Sequence, residues 1–127
     1  MYADRALQHH PLQRHFQVEV STELRGTVLT LHGELDVASS TVLEDELHRV
    51  NGVPLVICDL TKLEFIDSTG LGVLVKTHQH MRDDGNQLAL VEGGGQVRRL
   101  LELTGLADQL TVVQSLSDLL GEPGPAS

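Results

Sequence analysis

The feature that most constrains the fold is the stretch 54–81, in which an apolar run passes through a short turn into a helical pattern. Leu55–Cys58 is apolar without a break, which is typical of a strand covered on both faces and therefore of a parallel sheet. After the turn, side chains that are mostly apolar recur on one face of a predicted helix. The positions on this face are Leu71, Leu74, Val75, His78 and Met81.

The turn of this stretch places a hydroxyl group at the start of the predicted helix. Asp67, Ser68, Thr69 and Gly70 stand between the strand and the apolar helical pattern. Backbone N–H groups point outward at a helix start, which carries about half a positive charge and accepts anions. Ser68 is therefore either the N-cap residue, a role that contributes about 1 kcal/mol, or a functional hydroxyl. Spacing alone leaves both interpretations open.

The remaining segments alternate between strand and helix patterns. We predict strands at 16–20, 27–33, 87–91 and 110–113, and helices near 39–50, 97–104 and 116–120. The turn residues between the first two strands predict an antiparallel hairpin at the edge of a sheet. Together with the central stretch, this order predicts an α/β fold with a mixed, mostly parallel sheet of about five strands and about four helices.

Length and composition indicate one domain of 127 residues. We expect a flexible N-terminal arm at 1–15, the folded domain at 16–120 and a disordered tail at 121–127. Acidic residues number 18 against 9 basic ones, which argues against direct nucleic-acid binding because that usually needs a basic face. Aromatic residues make up only 2%, so the core must be aliphatic.

The predicted location is the cytoplasm, without membrane insertion. No apolar run approaches the ~20 residues that cross a bilayer, and the first residues lack the apolar core of a signal peptide. Cys58 is the one cysteine, and a free thiol in a buried strand suits a reducing compartment.

The candidate catalytic groups do not assemble into a recognisable active site. His78 and His80 lie about three helical turns from Ser68, although His32 could approach it from another strand. Asp59 and Asp67 bracket a loop, where carboxylates more often cap turns than perform acid–base chemistry. We therefore predict that the protein is not an enzyme.

We also predict no metal and no cofactor. His9 and His10 lack further ligands at a suitable spacing. Gly93-Gly94-Gly95 lacks the lysine of a phosphate-binding loop, which favours a plain structural turn.

Two motifs resemble the signature of bacterial anti-sigma-factor antagonists of the STAS family. They are Asp59-Leu60-Thr61 followed by Phe65-Ile66-Asp67-Ser68-Thr69-Gly70-Leu71-Gly72, and the turn Gly33-Glu34-Leu35-Asp36. The resemblance spans roughly residues 16–120 and implies a STAS-like fold.

The resemblance also implies a switch that works through a partner. In this family the unphosphorylated antagonist binds an anti-sigma factor that is itself a serine kinase, and thereby frees a sigma factor. The kinase inactivates the antagonist by phosphorylating a serine, and a PP2C-type phosphatase reverses this. The implied phosphorylation site is Ser68, with Thr69 as a second acceptor. The implied partner-binding residues are Asp36, Asp67, Ser68, Thr69, Gly70 and Leu71.

Three other roles stay open at the level of sequence. The domain could be a scaffold subunit of a stress-sensing complex, or an accessory subunit that binds a membrane transport ATPase. It could also bind a small ligand or nucleotide, in which case the turn at Gly93-Gly94-Gly95 would matter. The sequence does not decide between a monomer and a weak dimer, and it does not name the sigma factor.

Overall fold

A computed structural model describes residues 16–120 as one α/β unit. The arm at 1–15, with His9 and His10, and the tail at 121–127 lie outside the described residues, so their predicted flexibility remains a prediction. The elements in chain order are β1 Gln17–Thr22, β2 Thr27–Leu35, α1 Ser40–Arg49, β3 Leu55–Asp59, β4 Leu63–Ile66, α2 Ser68–Asp83, β5 Gln87–Val91, α3 Gly95–Thr104, a 3₁₀ turn Leu106–Gln109, β6 Thr111–Val113 and α4 Leu116–Leu120.

The sheet is mixed and mostly parallel, as predicted. Its strand order is β1-β2-β3-β5-β6, and β4 pairs with β2 outside this path. β1 and β2 form the predicted antiparallel hairpin at one edge, while all other pairs are parallel. The predicted number of strands was one too low because β4, at 63–66, was missed. Its residues, Leu63-Glu64-Phe65-Ile66, neither alternate throughout nor form an unbroken apolar run, so neither strand pattern is present in the sequence.

The central strand β3 is covered on both faces. Val56, Ile57 and Cys58 are each 0% exposed, which confirms the interpretation of the apolar run. Side chains from α1, α2 and α3 join one core cluster on one face, whereas α4 contributes to a smaller cluster on the other. Burial, reinforced by the charge of Asp59, raises the pKa of the Cys58 thiol to about 12. This cysteine therefore acts as a small apolar side chain.

Helix α2 packs on the sheet through the predicted face. Leu71, Leu74 and Met81 are almost fully buried. The first turn of the helix also approaches β2 closely: a Cβ atom added at Gly70 would lie 2.5 Å from Cγ of Leu35. Leu35 is itself 0% exposed and cannot move aside easily, so glycine at position 70 is a steric requirement of the fold.

The substitution Gly70→Ala should therefore destabilise the protein. Overpacking of this kind typically lowers the free energy of unfolding by about 1–3 kcal/mol. Urea unfolding followed by circular dichroism measures the change. A variant as stable as the wild type would show that α2 can move away from Leu35 at no cost.

His78 lies on the same face of α2 and reaches the edge of the sheet. Its Nε2 atom lies 3.2 Å from Oγ1 of Thr111, and its Nδ1 atom is buried without a hydrogen-bond partner. Burial, followed by the nearby positive charge of Arg82, lowers the pKa of His78 below its usual value. The folded protein therefore favours the neutral imidazole.

This lowered pKa predicts a loss of stability in mild acid. The unfolded chain takes up a proton at His78 near the ordinary pKa of about 6.5, while the folded chain resists it. The contribution of His78 is thus fully present above that pH and is lost as the pH falls through the window below it. Urea unfolding between pH 8 and pH 5 should show a steeper decline for the wild type than for His78→Gln. Parallel declines would contradict the assignment.

Candidate functional site

The candidate site lies where β2 and β4 end side by side. Leu35 pairs with Ile66 in the parallel register of these strands, and the Asp67 N–H donates to the Leu35 carbonyl oxygen at 3.1 Å. The loops that follow the two strands therefore leave the same edge of the sheet. The structure brings Asp36 and Asp67 to this edge from positions 31 residues apart in sequence.

Asp67, and not Ser68, is the N-cap residue of α2. Its backbone is extended, with φ −112° and ψ −179°, and its Oδ1 atom accepts a hydrogen bond of 3.0 Å from the Gly70 N–H. Its carbonyl oxygen accepts from the Leu71 N–H at 3.1 Å. The interpretation of Ser68 as the cap is therefore wrong, because the preceding carboxylate already fills that position.

Ser68 is the first residue of α2, and its hydroxyl is not used by the fold. Both Ser68 and Thr69 are exposed. Within residues 16–120, no hydrogen bond joins the Ser68 hydroxyl to another residue. The first turn of α2 holds no acidic side chain, so the positive end of the helix dipole is not neutralised inside the helix itself.

Asp36 organises the loop between β2 and α1. Its Oδ1 atom accepts hydrogen bonds from the N–H groups of Ala38 at 3.0 Å and Ser39 at 3.1 Å. Ser39 is the N-cap residue of α1 but makes no side-chain cap bond, because its hydroxyl donates to the Glu34 carbonyl oxygen at 2.8 Å. Asp36 is half-buried, so its carboxylate is held in place at the edge of the site.

Two of the predicted contact residues are placed differently by the structure. Leu71 is 0% exposed and belongs to the main core cluster, so its side chain cannot offer contact area to a partner. Gly70 is buried against Leu35. The prediction that Leu71 lies in the contact surface is therefore wrong, and Gly70 serves the packing of the helix. The helical spacing had already placed Leu71 on the apolar face of the predicted helix, and only the resemblance implied a contact role for it.

The other candidate groups are occupied by structural contacts. Asp59 Oδ1 accepts from the Thr61 N–H at 2.9 Å and from its hydroxyl at 2.7 Å. His32 lies 3.0 Å from a Glu19 carboxylate oxygen. A Cβ atom at Gly93 would lie 2.9 Å from the Thr61 Cα atom, so the glycine turn is needed for close packing of two loops. These contacts support a structural role for the Asp59 carboxylate and for the glycine turn at Gly93.

Sequence reasoning missed three residues at this edge. The Gln96 side-chain oxygen accepts from the Ile66 N–H at 3.1 Å and so ties α3 to the end of β4. Val37 and Phe65 are 69% and 38% exposed, although both are apolar. No local pattern predicts the contact of Gln96, since 30 residues separate it from its partner.

The chain was compared with known protein families and structures. The family model of the STAS domain matches residues 15–119. The chain is 34% identical over 97 residues to the anti-sigma-B factor antagonist of Bacillus subtilis, covering 75% of this chain and 88% of that protein. It is 31% identical over 97 residues to the Staphylococcus aureus protein of the same name, covering 75% and 90%.

Solved structures have the same fold. A crystal structure of an anti-sigma factor antagonist from Mycobacterium paratuberculosis superposes with a TM-score of 0.78 at 27% identity, covering 84% of this chain and 92% of that one. The Bacillus protein SpoIIAA in its phosphorylated form gives a TM-score of 0.62 at 19% identity, covering 84% and 97%, and at that identity shows the fold alone. The family match and the identity to the curated relatives agree with the motifs around Ser68, and the chain therefore belongs to the STAS domain family, among its anti-sigma-factor antagonists.

Proposed function

We propose that this protein is a partner switch whose state is set by phosphorylation of Ser68. In the unphosphorylated state it binds an anti-sigma factor serine kinase through the edge of the sheet that carries Asp36, Asp67, Ser68 and Thr69. This binding releases a sigma factor to RNA polymerase in the cytoplasm. Phosphorylation by the kinase ends the binding, and a PP2C-type phosphatase restores it. The protein itself acts by binding and not by catalysis.

The observation that carries this proposal is the unused hydroxyl of Ser68. Asp67 caps α2 and Leu71 anchors it in the core, so the fold gains nothing from the Ser68 side chain. A kinase can therefore reach and esterify this oxygen without breaking a hydrogen bond of the described chain. The N–H groups of Ser68 and Thr69, which the Asp67 cap does not use, can then hold the phosphate.

The added phosphate acts on the docking surface and leaves the fold intact. It brings about −1.5 to −2 charges and a hydration shell to a site where the partner had met a small hydroxyl. Asp67, next in sequence, already places a carboxylate there, so the local charge becomes strongly negative. A loss of about 2.7 kcal/mol in binding free energy is enough to weaken the complex about 100-fold.

The phosphorylation site can be mapped directly. The purified protein, incubated with ATP and the anti-sigma factor kinase of its own genome, should gain one phosphate at Ser68, as located by tandem mass spectrometry. Ser68→Ala should lose this phosphate, while Thr69→Val should keep it. Phosphate found only on other residues would reject the site.

Affinity for the kinase should follow the charge at position 68. Isothermal titration with the unphosphorylated proteins should give Ser68→Ala a dissociation constant near that of the wild type, and Ser68→Asp one at least about tenfold weaker, since tenfold corresponds to about 1.4 kcal/mol. Ser117→Asp makes the same change at an exposed serine of α4 and should have no effect. Equal affinities for Ser68→Ala and Ser68→Asp would contradict electrostatic switching.

A further inference from the structure

Asn51-Gly52 is an exposed dipeptide in the turn that joins α1 to β3. The Val53 N–H donates to the Val50 carbonyl oxygen at 3.1 Å, which closes a turn with Asn51 and Gly52 in its two central positions. Gly52 has a φ angle of +93°, and a Cβ atom at this position would meet nothing within 4 Å. The backbone angle, and not close packing, therefore favours glycine here.

The Gly52 N–H is available for chemistry. In a turn of this kind the hydrogen bond joins the two outer residues and leaves the central peptide group without a partner. Accordingly, in the part of the chain that the structure describes, the Gly52 N–H donates no hydrogen bond and the side-chain amide of Asn51 makes none either. Because Gly52 has no side chain, its nitrogen can also approach the Asn51 Cγ atom without steric hindrance.

The other asparagine of the chain is held differently. Asn86 is half-buried, and its N–H donates to the Met81 carbonyl oxygen at 2.8 Å. The N–H of the next residue, Gln87, donates to the Pro54 carbonyl oxygen, also at 2.8 Å. The Gln87 nitrogen can attack the Asn86 side chain only after this bond is broken. The turn at Asn51 therefore offers a free neighbouring N–H, and the strand start at Asn86 does not.

We propose that Asn51 deamidates spontaneously in the folded protein because the Gly52 N–H is free to react. The Gly52 nitrogen loses its proton to solvent and attacks Cγ of Asn51, the Cγ–Nδ2 bond breaks, and the leaving nitrogen takes up a proton and departs as ammonia. Water then opens the resulting cyclic imide at either carbonyl carbon, which leaves aspartate or isoaspartate at position 51. The reaction consumes one water and releases one ammonia, so it needs no enzyme and no oxidant. It involves no residue of the candidate site and is independent of the proposed function.

The two products change the protein in different ways. Aspartate adds a negative charge just beyond the C-terminal end of α1, where His48 and Arg49 complement the helix dipole. Isoaspartate adds the same charge and also lengthens the main chain by one atom. The added atom lies in the connection to β3, whose pairing with β5 begins at Leu55 and Gln87. An isoaspartate-containing fraction should therefore melt at a lower temperature than Asn51→Asp, which adds the charge alone, and an equal melting temperature would contradict this consequence.

Peptide mapping tests the site. The folded wild-type protein is kept at 37 °C and pH 8 for several days and is then digested with trypsin, which separates Asn51 in peptide 50–62 from Asn86 in peptide 83–98. The first peptide should convert from the amide to the acid at least about tenfold faster than the second, a difference of about 1.4 kcal/mol in barrier height. Conversion should be slower at pH 6, because the Gly52 nitrogen must lose a proton. Equal rates for the two peptides would overturn the proposal.

Two variants serve as controls. Asn51→Gln keeps an amide at this position but disfavours ring closure, so peptide 50–62 of the aged variant should no longer be labelled by an isoaspartate-specific methyltransferase. Gln87→Gly places the same Asn-Gly dipeptide where the following N–H is hydrogen-bonded, and its peptide 83–98 should still convert several-fold more slowly than its peptide 50–62. If both peptides of Gln87→Gly convert at the same rate, the free N–H of the turn does not select Asn51, and the proposal is overturned.

Discussion

The site depends on the parallel pairing of β2 with β4. The hydrogen bond from the Asp67 N–H to the Leu35 carbonyl and the close contact of Gly70 with Leu35 fix the start of α2 against the end of β2. Two loops that are distant in sequence thereby share one edge of the sheet. Leu71 and Leu74, in the first two turns of α2, are buried in the core. The end of the helix that carries Ser68 is therefore held in place.

Most of the polar side chains at this edge make hydrogen bonds that stabilise the fold, and one does not. Asp67 caps α2, Asp36 holds its own loop, and Asp59 binds the backbone and hydroxyl of Thr61. Each of these carboxylates uses one oxygen for the fold. The hydroxyl of Ser68 is left over, so its chemistry can change while the hydrogen bonds around it persist. This arrangement suits a modification that is read by a partner and not by a refolding of the domain.

The net charge of the chain bears on the proposed switch. The formal net charge is −9, so a phosphate on Ser68 would add negative charge to a protein that is already acidic and would oppose the approach of an acidic partner surface.

The sequence alone determined the class of the fold and placed a hydroxyl group at the start of α2. The apolar run Leu55–Cys58 required a strand buried on both faces, and the helical spacing after Ser68 required a helix that packs back on it, since local periodicity encodes both features. Only the tertiary structure revealed β4, which pairs with the end of β2 more than 25 residues away, and showed that Asp67 and not Ser68 caps α2. Periodicity within one segment carries no information about which distant segment it will meet.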